Sequence, residues 1–238
     1  MWYYTIATKI FSIILAVYTA FTGVLMPRMS ALYSEGKMDE FKRLIDKSVH
    51  LLFSFAIPAV FFTVIYSPEI IRFISGEGYE GAYLPARIIM PLIFIIGYEQ
   101  ILVIQILMPT KQDKVVLRNS MIGAFVGCIA NFLLVNNYQS VGSSIVWVMS
   151  ELVVLFSALI GIQKIIKMTF PMKALIKYLL IYMPVVVILY FIREYFELST
   201  FLLLFIGGIV MIIYMLGIQV FVEKNNLILN LLFKYSKK

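Results

Sequence analysis

Charge is scarce in this sequence. Asp, Glu, Lys and Arg make up only 14% of its 238 residues, against about a quarter in a soluble domain. With 62% of the residues hydrophobic, too few polar groups remain to clothe a water-facing surface, which excludes an ordinary soluble fold. The single cysteine, Cys128, lies inside an apolar run, so neither a disulfide framework nor a thiolate metal cluster is available. The single histidine, His50, opens an apolar stretch beside a basic segment and reads as interfacial. Walker, HExxH, GxSxG and dinucleotide-binding fingerprints are all absent. No enzyme chemistry is indicated, and no cofactor or metal is expected.

What the sequence has is long apolar runs. Seven stand out, at about 4–26, 48–66, 86–108, 115–135, 141–163, 175–192 and 199–222, each near the roughly 17–25 residues that cross a hydrocarbon core as a helix. Polar or turn-forming groups separate them: Pro27-Arg28, Ser67-Pro68-Glu69, Pro109-Thr110-Lys111, Asn136-Asn137, Thr169-Phe170-Pro171 and Glu197-Leu198-Ser199. The period-two alternation of a membrane β-barrel is missing. The expected fold is all-α, a polytopic transmembrane helix bundle of about seven spans in a bacterial inner membrane.

Loop charges orient the bundle. Alternate connections carry Arg28, Lys37, Lys42, Arg43 and Lys47, then Lys111, Lys114 and Arg118, then Lys164, Lys167, Lys173 and Lys177, and the tail carries Lys224, Lys234, Lys237 and Lys238. The remaining connections carry few cations or none. This predicts a cytoplasmic C-terminus, and it makes the net charge of +7 a sign of topology rather than of nucleic-acid binding. An odd number of spans then puts Met1 outside, which leads to the expectation of upstream spans and of a C-terminal part of a larger transporter. In the connection 27–47, Met38, Phe41, Ile45 and Val49 recur at helical spacing among charged residues. That pattern fits a short amphipathic helix lying on the membrane or a solvated linker helix.

Polar groups inside a span are costly and therefore functional candidates. Thr5, Lys9, Ser12, Ala16, Thr19 and Gly23 recur every three or four residues and share one face of the first span. That face lines a cavity or meets another helix, unless Lys9 snorkels to the headgroups. Glu151 lies near mid-depth in the fifth span behind Ser143, Ser144, Trp147 and Ser150. Glu99 lies in the third span near Gln100 and Gln105. Each glutamate is a proton or cation site, or a structural hydrogen-bonding group. Asn131 reads as a hydrogen-bonding group between helices. Pro58, Pro91 and Pro184 fall inside spans and are expected to kink them.

Several segments, in order, resemble one family. They are YYTIATKI, then GVLMPRMSALYSEGKMDEFKRLIDKSVHLL, SPEIIRFISGEGYEGAYLPARIIMP, QILMPTKQDKVVLRNSMIGAFVGCIANFLLV and VGSSIVWVMSEL. Together they are similar to the polysaccharide-biosynthesis (Wzx-type) flippases of O-antigen and capsule repeat units, within the superfamily that also holds multidrug exporters and lipid II flippases. The resemblance covers about 2–165 and departs from the family pattern at NNYQSV, where a proline is usual. Residues 1–165 would hold the matching spans of the C-terminal lobe, and 166–238 two further spans with a basic cytoplasmic tail. The resemblance implies alternating access for a polyprenyl-diphosphate-linked oligosaccharide, and an N-terminal lobe as partner. A polysaccharide polymerase is a further candidate partner. Lys9, Thr5, Ser12 and Thr19 would bind substrate, and Glu99, Gln105, Asn131 and Glu151 would be the intramembrane polar set. Alone, the chain is not expected to transport. A cation-coupled multidrug exporter and a non-functional gene remnant are the competing readings. A membrane polymerase would need a larger outer loop than 67–85.

Overall fold

The computed structural model describes residues 2–221, and every long element among them is a helix. The elements are α1 (Trp2–Ser34), α2 (Met38–Ile65), α3 (Ser67–Ser75), a 3-10 turn (Glu80–Ala82), α4 (Tyr83–Ile89), α5 (Leu92–Gln100), a π-helical segment (Ile101–Leu107), α6 (Asp113–Ile166), α7 (Met172–Tyr195) and α8 (Thr200–Phe221). Six stretches among the described residues are long and apolar enough to cross a membrane. The chain is a multi-pass membrane protein. The tail 223–238, with its four lysines, lies outside the described residues.

The 33 residues of α1 make a rod of about 50 Å at 1.5 Å per residue, longer than a hydrocarbon core of about 30 Å. The helix therefore runs through Pro27 and past the end of its apolar run. A tight turn follows, with Gly36 at φ 71° and Lys37 paired to Glu35 at 2.7 Å. Here the structure corrects the expectation of a separate helix lying on the membrane or in a linker. Residues 38–47 are the first turns of α2, continuous with its spanning part. Phe41, Ile45 and Val49 are buried within the protein, so the apolar face of this segment is covered by other helices.

The third span is interrupted. Pro91 has no N–H to continue a helix, and α4 gives way there to α5. After Gln100 the ladder widens into a π-helical segment, a feature frequent at functional sites. The connection 67–85 is itself structured, with α3 opening at Ser67-Pro68.

At 54 residues, α6 is far too long for one crossing, and it is a hairpin. Gln139 (φ 46°, ψ −117°) breaks the helix. The two arms, 113–138 and 140–166, then lie antiparallel, as three contacts down their length record. Ser157 donates a hydrogen bond to Asn119 at 2.6 Å. A Cβ on Gly127 would stand 2.7 Å from Ser150 Oγ, and one on Gly142 would stand 2.6 Å from the Leu134 carbonyl oxygen. Glycine lets the arms approach to backbone contact, the usual device for helices that lipid does not push together. Seven spans result among the described residues, as the apolar runs predict. The reversal comes at Gln139, just beyond the Asn136-Asn137 pair expected to mark it.

The core gathers around α2, where Leu52, Phe53 and Ala56 are fully buried together with Tyr98, Tyr178 and Tyr182. Tyrosine hydroxyls bind α7 and α8 to this core by donating to backbone carbonyls: Tyr182 to Ser54 at 3.0 Å, Tyr66 to Leu189 at 3.1 Å and Tyr214 to Ile181 at 2.7 Å. The first bond has a local cause. Pro58 has no N–H, so the carbonyl of Ser54, one turn earlier, has no partner within α2. Gly207 of α8 closes on Tyr66, where a Cβ would stand 2.9 Å from the phenol ring. At one end of the bundle, Arg193 of α7 binds Glu69 of α3 at 2.8 Å.

Candidate functional site

Two faces of α1 are exposed, side by side. Ile13, Val17 and Val24 form an apolar face suited to lipid or to another protein surface. Beside it, Thr5, Lys9, Ser12, Ala16, Thr19 and Gly23 are all exposed too. At about 100° per residue they fall within roughly a quarter of the circumference. A Cβ on Gly23 would meet nothing within 4 Å. The stripe read from the sequence is thus an open polar surface, not a seam packed against α2 or α5. The Ser12 and Thr19 hydroxyls donate back to their own helix, to the carbonyls of Thr8 at 2.8 Å and Leu15 at 3.1 Å. Lys9 makes no hydrogen bond or ion pair with another described residue.

Midway along this face the stripe joins the third span. The Gln100 side-chain amide donates to Thr19 Oγ1 at 2.9 Å, and Thr22 donates to Gln100 Oε1 at 3.2 Å. Gln100 thus locks α5 to α1 at the edge of the open face. Its neighbour Glu99 points elsewhere and lies close to Glu151 on the second arm of α6. Glu151 also accepts a hydrogen bond from the Trp147 indole at 2.9 Å, one turn away. The Trp147 ring is held edge-on by Phe11 of α1, with centroids 4.9 Å apart, and by Tyr4 at 6.4 Å. The second oxygen of Glu99 is buried without a partner. Two adjoining carboxyls in this setting suit one shared proton, or a cation held between their oxygens.

The other candidates stand apart. Gln105 lies in the π-helical segment, fully buried, and neither its amide nitrogen nor its oxygen has a partner. Asn131 is exposed on the outer side of the first α6 arm, next to Phe132, which is 82% exposed. It makes no hydrogen bond to another helix among the described residues. Gln100 and Trp147 take larger parts than the sequence assigned them. The spacing of Trp147 and Glu151 on one helix was a usable signal, whereas the meeting of Glu99 with Glu151 had none.

Comparison with known proteins places the fold. Residues 2–216 match the family model described as lipid II flippase MurJ. Among solved structures, the lipid II flippase MurJ in its inward closed conformation superposes with a TM-score of 0.79 at 15% sequence identity. The superposition covers 94% of this chain and 47% of that one, so the chain spans about half the length of the protein it matches. A search of curated proteins finds no match. The shared fold lies in the superfamily that the sequence motifs resemble, and the matching family is its lipid II branch, not the polysaccharide repeat-unit branch.

Proposed function

This chain belongs to the MurJ lipid II flippase family, and we propose that it forms one lobe of a flippase carrying a diphosphate-linked saccharide lipid across the membrane by alternating access. The observation that carries this reading is the open polar stripe of α1, whose Lys9 has no partner among the described residues, beside an exposed apolar face of the same helix. A diphosphate is the group such a stripe suits. It keeps its negative charge at any depth, whereas its polyprenyl tail needs no polar surface. An ammonium about 4 Å from a phosphate charge gains roughly 4 kcal/mol at an effective dielectric near 20. The Ser12 and Thr19 hydroxyls, whose protons go to backbone carbonyls, add oxygens that accept hydrogen bonds from sugar hydroxyls. A second lobe would close the stripe into a cavity.

The family description favours a lipid II-type substrate over an O-antigen or capsule repeat unit. Both kinds of lipid present the diphosphate to Lys9, so the stripe accounts for their common part. The Glu99–Glu151 pair, outside the stripe but joined to it through Gln100, would take up and release a proton or cation during the cycle.

The test is flux of a fluorescent lipid II analogue in proteoliposomes, with the chain paired to a lobe that completes the cavity. Lys9→Arg should keep most of the flux, because arginine also holds phosphate. Lys9→Ala and Lys9→Glu should lose about tenfold or more with insertion intact. Wild-type flux from Lys9→Ala would return Lys9 to a headgroup-snorkelling role.

A further inference from the structure

Away from the stripe, at the end of the lobe where α1 leaves its apolar run and α2 has yet to begin its own, lies a cavity of about 230 Å³. It is lined by Arg28, Leu32, Glu40, Arg43, Leu44 and Lys47. We propose that this pocket binds the phosphate-bearing headgroup of a membrane lipid.

Depth is the first argument. Arg28 follows the apolar run 4–26 almost at once, and Lys47 stands immediately before the run 48–66. Both therefore sit where the hydrocarbon ends and phosphates begin, and Arg43 lies one turn of α2 further out. The second argument is unspent charge. None of the three cations forms a hydrogen bond or ion pair with another described residue, although Glu40 lines the same cavity. Three cations against one carboxylate leave two net positive charges. A diphosphate, with two or more negative charges, balances that better than a phosphodiester with one. The third argument is shape. Arg43 and Lys47 are four residues apart and so share one face of α2, with Arg28 across the gap on α1. The fork of each arginine suits phosphate oxygens, and lysine supplies a compact point charge. Leu32 and Leu44 add an apolar wall against which the start of an acyl or prenyl chain packs.

The site is separate from the Lys9 stripe, which lies near the opposite end of α1, so its occupancy is measured without reference to transport. The experiment is native mass spectrometry of the full chain released from micelles doped in turn with undecaprenyl diphosphate, phosphatidylglycerol or phosphatidylcholine. The wild-type chain should retain the two anionic lipids over phosphatidylcholine. Arg43→Gln with Lys47→Gln should cut that retention roughly tenfold or more. Both side chains are exposed, so the double variant should keep its elution profile. Glu40→Gln should raise retention by removing the one opposing charge. Within the retention that the double variant loses, preference for the diphosphate would identify a diphosphate-bearing lipid as the occupant, and preference for phosphatidylglycerol would identify the surrounding bilayer; either supports the site. Equal retention of phosphatidylcholine, or full retention by the double variant, would overturn the proposal.

Discussion

Replacing Gly142 by alanine separates a folded-back α6 from a single long helix. In an exposed helix, exchanging glycine for alanine stabilises by about 1 kcal/mol, because alanine gives up less backbone freedom. At Gly142 the new methyl would stand 2.6 Å from the Leu134 carbonyl oxygen and 2.9 Å from its carbon. Both atoms belong to the backbone of the facing arm and have no rotamer into which to retreat. Overpacking of this kind costs up to about 3 kcal/mol, so the net effect should be a loss of about 1–2 kcal/mol. For a chain of this size that corresponds to a melting temperature lower by roughly 2–8 °C. Gly217 of α8 is the matched control, because a methyl there meets nothing within 4 Å, and Gly217→Ala should hold or raise the melting temperature. Thermal unfolding in detergent, followed by circular dichroism or by size-exclusion chromatography of heated samples, measures both. If Gly142→Ala stabilises as much as Gly217→Ala, the arms are not in contact and the seven-span count fails.

Other outcomes follow from the same structure. If the adjoining carboxyls couple transport to a proton or cation, Glu151→Gln and Glu99→Gln should each lower flux at unchanged membrane protein level, and the double variant should lose little more than either single one. A parallel fall in protein level would assign the pair to folding. In a chain freed of Cys128, cysteines placed at Lys42 and Lys111 should be shielded from an impermeant thiol reagent added outside intact cells, while one at Glu77 should react. Labelling of Lys42 or Lys111 from outside would reverse the orientation. Tyr182→Phe should cost about 1–3 kcal/mol of thermal stability, because it leaves the Ser54 carbonyl unpaired in the core, and a neutral result would remove that bond from the account.

Much of the architecture was legible because lipid imposes a length. Apolar runs broken by proline, lysine and asparagine give the spans directly, and the hairpin of α6 was predicted within a few residues. Element ends were harder to read, since an apolar run reports where lipid is and not where a helix stops. α1 continues through Pro27 to Ser34, and its last turns mix Arg28, Ser30 and Ser34 with the buried Met29 and Leu32. Phe41, Ile45 and Val49 show a second limit. Their spacing marks one apolar face, but a face covered by lipid and a face covered by another helix have the same spacing. The stripe of α1 was readable as a stripe, and its exposure was not. Glu99 and Glu151 were each suspected, yet nothing in a linear order tells that α5 and the second arm of α6 bring them together. The superfamily branch also lay beyond the motifs, which sit mostly at span ends and loops.

The bond from Tyr182 to Ser54 bears on how the protein is made. Ribosomes thread the chain into the bilayer from the N-terminus, so α2 arrives well before α7. Until then Pro58 leaves a bare carbonyl at Ser54, in surroundings that cost several kcal/mol for an unsatisfied polar group. The young α2 must borrow a partner from water, from a lipid headgroup or from the insertion machinery, and hand it back when Tyr182 docks. Nascent chains cut short before Tyr182 should therefore linger near the insertion machinery and fall to quality-control proteases, while chains that extend through α7 escape.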